Sequence, residues 1–150
     1  MEESNRRGTG ARRSARELAL QMLFQFDLSG NDAAHILRHF DDVKRAREDV
    51  RRFATRLFSG TVEHREEIDD LISRQAERWK MSRMAAVDRN IIRMSVYELL
   101  YEKETPRLVV IDEAIEIGKR FGNEKSSQFI NGILDGILKR YNLEAASPKQ

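Results

Sequence analysis

The chain has 150 residues, enough for one domain with a hydrophobic core or two small subdomains sharing one, and too few for a second large catalytic domain. Charged residues make up 35% and apolar ones 40%, the balance of helices with one wet and one dry face, and the absence of cysteine excludes disulfides, thiolate metal sites and a cysteine nucleophile. The net charge of +2 hides an asymmetry: residues 6–16 carry five arginines and no acid, whereas residues 63–70 carry five acids.

Residues 1–10, MEESNRRGTG, are polar and glycine-containing and read as a mobile N-terminal tail. A helix is expected from residue 11, with Ala15, Ala19, Met22, Leu23 and Phe26 on its core stripe and Arg13, Arg16, Leu20 and Phe24 off it. Ser29, Gly30 and Asn31 end it. A short helical segment over 33–40 turns Ile36, Leu37 and Phe40 inward. From residue 48, Val50, Phe53, Ala54, Leu57 and Phe58 follow helical spacing, and Val62, Ile68, Leu71, Ile72 and Trp79 extend the stripe, with Gly60 either interrupting it or admitting a neighbouring helix.

After a break near Lys80–Ser82, residues 87–100 are apolar on two faces, as in a central helix, until Thr105 and Pro106 stop it. Val110, Ile111, Ala114, Ile115 and Phe121 mark another helix, with Gly122 as its stop. Ser126 or Ser127 caps the last one, which turns Ile130, Ile133, Leu134, Ile137 and Leu138 inward, and Gly132 and Gly136 suggest a close helix crossing. The fold class is all-α, with about six or seven helices.

Motifs for catalysis are missing. There is no GxxxxGK[ST], GxGxxG or GxSxG pattern, and FGNEKSSQF is too poor in glycine to cradle a nucleotide. His35 and His39 stand four apart, a weak metal signal, so no catalytic residue, cofactor or metal is expected. No apolar stretch is long enough to span a bilayer and no signal-peptide core follows the arginines, which reads as a soluble, cytoplasmic protein.

What remains is surface. Arg12, Arg13 and Arg16 crowd the expected start of the first helix, where the dipole disfavours cations, and a phosphate bonded to the guanidinium groups and free helix-end amides would resolve that conflict. Pairing with surface acids is the alternative. Phe24, off the core stripe, suits either intramolecular packing or docking. Phe129, beside Lys125, Ser126, Ser127 and Gln128, suits either a core or the stacking of an unpaired base.

The run from Arg78 to Leu138 contains VDRNIIR with YELL, then a proline, IDEAIEIGKRFG and SQFINGILD, and it resembles the C-terminal part of the bacterial transcription antitermination factor NusB family. ARRSARELALQMLF is similar to that family's arginine-rich first helix, and HREEIDDLI to its middle segment. The resemblance implies two small helical bundles packed together, here a domain over 11–142 with subdomains of about 11–80 and 81–142, followed by a C-terminal tail at 143–150. It implies no enzymatic activity. It implies binding of boxA single-stranded RNA in nascent transcripts, notably ribosomal RNA leaders, as a heterodimer with NusE, a small-subunit ribosomal protein, within the RNA polymerase antitermination complex.

Carried over residue by residue, RNA-binding would fall to Arg12, Arg13, Arg16, Lys125, Gln128 and Phe129, and partner-binding to Phe24 and Asp88. Ser14 interrupts a run of arginines that is denser in other members, which weakens the grip of that helix, while Lys125 replaces a frequent acid and acts in the opposite direction. A protein-interaction module without RNA binding of its own is the competing reading, and a homodimer covering the arginine helix is a further expected assembly.

Overall fold

The computed structural model describes residues 2–141, so the expected tail at 143–150 lies outside the described residues. Among these are eight α-helices and one 3-10 turn, with no strand: α1 (Glu2–Ser29), α2 (Ala33–His39), α3 (Asp41–Lys44), α4 (Glu48–Glu63), α5 (Arg65–Gln75), the turn Met81–Arg83, α6 (Ala86–Tyr101), α7 (Arg107–Phe121) and α8 (Ser126–Arg140). They form two compact units that divide between Glu63 and His64.

In the first unit α1 packs on α4 and α2, and α4 also packs on α3. Helix α1 stops at Gly30, whose φ of +78° is open to glycine at no steric cost, and α2 starts at Asp32, whose carboxylate accepts the His35 N–H at 2.8 Å. Ala15, Ala19, Met22 and Leu23 are buried as expected, and the half-buried Phe26 meets Phe58 edge-on. Leu20 and Arg16, placed off the stripe by the sequence, are each 4% exposed. Two neighbouring helices cover α1, and the stripe that they bury is wider than one helix would require. The helix takes in the backbone of residues 2–10, which the sequence marks as a tail.

The second unit is built on α6, which packs on α5, α7 and α8. Ile91, Ile92, Met94, Val96 and Leu99 are buried on its two faces. Arg93 of α6 donates from Nε and Nη2 to the two carboxylate oxygens of Asp69 on α5, at 2.8 and 3.0 Å, and from Nη1 to Asn90 Oδ1 at 3.2 Å. This fork locks two helices in one register. Because α5 packs on α6 and α8, it belongs to the second unit, and the division falls at residue 63 rather than near residue 80.

The long apolar run from residue 48 breaks at His64, while Gly60 stays inside α4. Trp79, expected on its stripe, is 60% exposed, and Phe121, at the end of α7, is 38% exposed. Gly122 does end α7, but with a φ of −98° rather than in the left-handed region. Its reason is space, since a β-carbon there would collide with the Ser126 hydroxyl and lie 2.9 Å from the Gly118 carbonyl oxygen. Ser126 does not cap α8; its buried hydroxyl accepts the Asn123 N–H at 2.9 Å and closes the α7–α8 joint. Of the two glycines on α8, Gly136 allows the close approach of Gln75 from α5, whereas Gly132 faces open space.

Candidate nucleic-acid interface

Because α1 begins at Glu2, Arg12, Arg13 and Arg16 stand in its body, and the free helix-end amides expected to share a phosphate with them are not available there. What organises Arg12 and Arg16 instead is an aromatic ring. The Phe53 side chain of α4 carries the guanidinium of Arg12 at 4.1 Å from its centroid, that of Arg56 at 5.1 Å and that of Arg16 at 5.5 Å. A guanidinium stacked on a ring keeps in-plane N–H groups for other acceptors.

The three arginines of α1 differ in access. Arg12 is exposed, Arg13 is half-buried and Arg16 is buried, and the last two have contacts within the chain. Arg12 borders a cavity of about 320 Å³ with Arg52, Phe53, Arg56, Glu48 and Asp49. Both acids are held by other arginines: Arg52 donates to Glu48 at 2.9 Å and Arg47 to Asp49 at 2.7 Å. The hydrogen bond from Arg47 keeps the Asp49 carboxyl below the usual carboxylate range. Arg56 was not singled out by sequence; its signal is the four-residue spacing from Arg52 on one helix face.

The second unit carries a groove of about 630 Å³ at the joint between α7 and α8. Lys125, Gln128 and Phe129 line it, as does Asp88, so residues assigned by resemblance to RNA and to a protein partner share one depression. Lys125 and Gln128 are exposed and Phe129 is half-buried. Asp88, in the first turn of α6, is 7% exposed, and its Oδ1 is buried without a hydrogen-bond donor. Trp79 and Arg83 complete the opposite wall. Arg89 Nη1 donates to the carbonyl oxygens of Met81 and Met84, both at 3.0 Å, and ties that wall to α6. Trp79 and Arg83 were also missed, although RWKMSR sets three cations around a tryptophan within six residues.

Phe24 is 37% exposed, and Leu28, one turn further along α1, is 59% exposed, giving an apolar patch on the first unit. His35 and His39 have ring centroids 4.4 Å apart, and among the described residues no group of three His, Cys, Asp or Glu side chains could hold a metal ion. No helix among the described residues is long and apolar enough to cross a membrane.

The NusB family pattern matches residues 13–139. The transcription antitermination protein NusB of Koribacter versatilis (strain Ellin345) is 48% identical over 137 residues, which cover 91% of this chain and 94% of that protein. Among solved structures, T. maritima NusB superposes with a TM-score of 0.79 at 44% identity, covering 85% of this chain and 90% of its own. A chain from the crystal structure of the antitermination factors NusB and NusE in complex with dsRNA gives a TM-score of 0.79 at 29% identity, covering 87% of this chain and 98% of that one. The helical order, the marks from VDRNIIR to SQFINGILD and these likenesses agree, and the chain belongs to the NusB family.

Proposed function

We propose that this chain is a non-enzymatic, cytoplasmic RNA-binding transcription antitermination factor that binds boxA-type single-stranded RNA of nascent transcripts, notably ribosomal RNA leaders. It acts as a heterodimer with NusE in the RNA polymerase antitermination complex. The observation that carries this reading is the match over 98% of a chain whose crystal structure contains NusB, NusE and dsRNA, the single-stranded boxA target being what the family resemblance implies. Arg12, Arg13 and Arg16 on the first unit supply contacts to phosphate, and Lys125, Gln128 and Phe129 on the second supply a cation, an amide and a stacking face. Titration of the chain with boxA RNA and a scrambled control, with and without NusE, tests it by electrophoretic shift. Preference for boxA, strengthened by NusE, is expected; equal affinity for both RNAs overturns it.

Phe24 and Asp88 are the proposed partner contacts. The exposed apolar pair Phe24 and Leu28 supports the docking of a protein on α1, and the donorless Oδ1 of Asp88 accepts an N–H from NusE. Phe24→Ala should weaken NusE binding by at least about 1 kcal/mol, the threshold that separates energetic anchors from bystanders at an interface. Calorimetry with NusE reads that loss. The melting temperature should fall modestly, because the ring is already partly in water but not wholly so.

A further inference from the structure

Trp79 is the one tryptophan of the sequence, and it stands 60% exposed. Single apolar residues scattered on a surface require no explanation, but this one lines a groove with a second aromatic. The Trp79 and Phe129 ring centroids are 6.3 Å apart and their planes meet at 80°, so the two rings form a corner. A flat ligand can lie on one face with its rim against the other. The corner is held from its backbone: Trp79 N–H donates to the Ala76 carbonyl oxygen at 2.9 Å, and the turn that follows is bound by Arg89.

Charge selects the occupant. Within the groove Arg83 and Lys125 are balanced by Asp88 and Glu124, which gives no net attraction to an anion, and the buried carboxylate of Asp88 repels one. Arg83 also belongs, with Arg78 and Lys80, to a run of six residues, 78–83, that holds no acid. An uncharged planar group inside and phosphates along the rim fit this pattern, and an unpaired nucleobase on its chain has that chemistry.

We propose that Trp79 is a base-stacking residue, forming with Phe129 the corner that receives one unpaired RNA base while Arg78, Lys80 and Arg83 face the adjoining phosphates. The inference rests on the RNA-binding reading of the groove and adds a contact to it. Stacking of a base on an indole quenches its fluorescence, so titration with boxA RNA reports on Trp79 directly. With NusE present, the signal of a Trp79→Phe complex is subtracted, which isolates Trp79 from any tryptophan of the partner.

Strong quenching is expected, and it should disappear when one nucleotide of the RNA is made abasic. Trp79→Ala should weaken RNA binding by roughly tenfold, within the range for loss of one stacked base, with an unchanged salt slope, and Trp79→Phe should restore most of the affinity. RNA binding by gel shift without quenching, and with wild-type affinity in Trp79→Ala, overturns this inference and leaves the RNA-binding reading standing. Absence of boxA preference by gel shift, with and without NusE, overturns both. A peptide segment of NusE that quenches Trp79 when RNA does not would assign the corner to protein instead and reject the proposal.

Discussion

A protein carrying Arg12→Ala and Arg13→Ala should bind boxA RNA with a log–log salt dependence flatter by about 1.4, because each phosphate neutralised on a single strand contributes about 0.7. Affinity at low salt should fall by roughly a hundredfold or more, since hydrogen bonds to charged groups are worth about 1.5–3 kcal/mol each. Filter binding between about 50 and 200 mM salt measures both quantities. A slope equal to that of the wild type would remove these guanidinium groups from the interface. Arg16 is left out of the pair deliberately. Buried at 4% exposure over Phe53, it holds α1 against α4 through its stem as well as its charge, so Arg16→Ala would mix lost packing with lost binding.

The largest effect of a single small change should come from Gly122→Ala. The added methyl group would collide with the Ser126 hydroxyl and approach the Gly118 carbonyl oxygen at 2.9 Å, and backbone cannot rotate out of the way as a side chain does. Overpacking of this kind costs about 1–3 kcal/mol, and here it also pulls the Ser126 hydroxyl from the Asn123 N–H. Lys125, Gln128 and Phe129 follow directly on that joint, so RNA affinity should fall together with the melting temperature. Thermal denaturation and the same filter assay check the pair of outcomes. By contrast, Gly132→Ala meets open space and should raise stability slightly through helix propensity.

Periodicity located most helices because burial of one face dominates their energetics. The two-sided apolarity of residues 87–100 correctly marked a helix packed on three others, and the stop at Ser29–Asn31 followed from turn chemistry. Where several helices cover one, the stripe no longer describes what is buried, and so Leu20 and Arg16 were placed outside. The break at His64 carries no proline or glycine signal; it reflects a change of packing partner, which a local window does not contain. Trp79 illustrates the same limit, because helical spacing extends formally to it after the helix has ended at Gln75. At the candidate interface, resemblance supplied the candidate residues but not their access to solvent. Three arginines within five residues of sequence became one exposed, one half-buried and one buried once α1 was covered.

The two bonds from Arg89 grip main-chain oxygens, not the side chains that line the groove. Positions 79, 80, 82 and 83 are therefore exchangeable without dislodging the strap that presents them. Selection can rewrite what this wall recognises, one substitution at a time, while a single guanidinium on the following helix preserves where the wall stands.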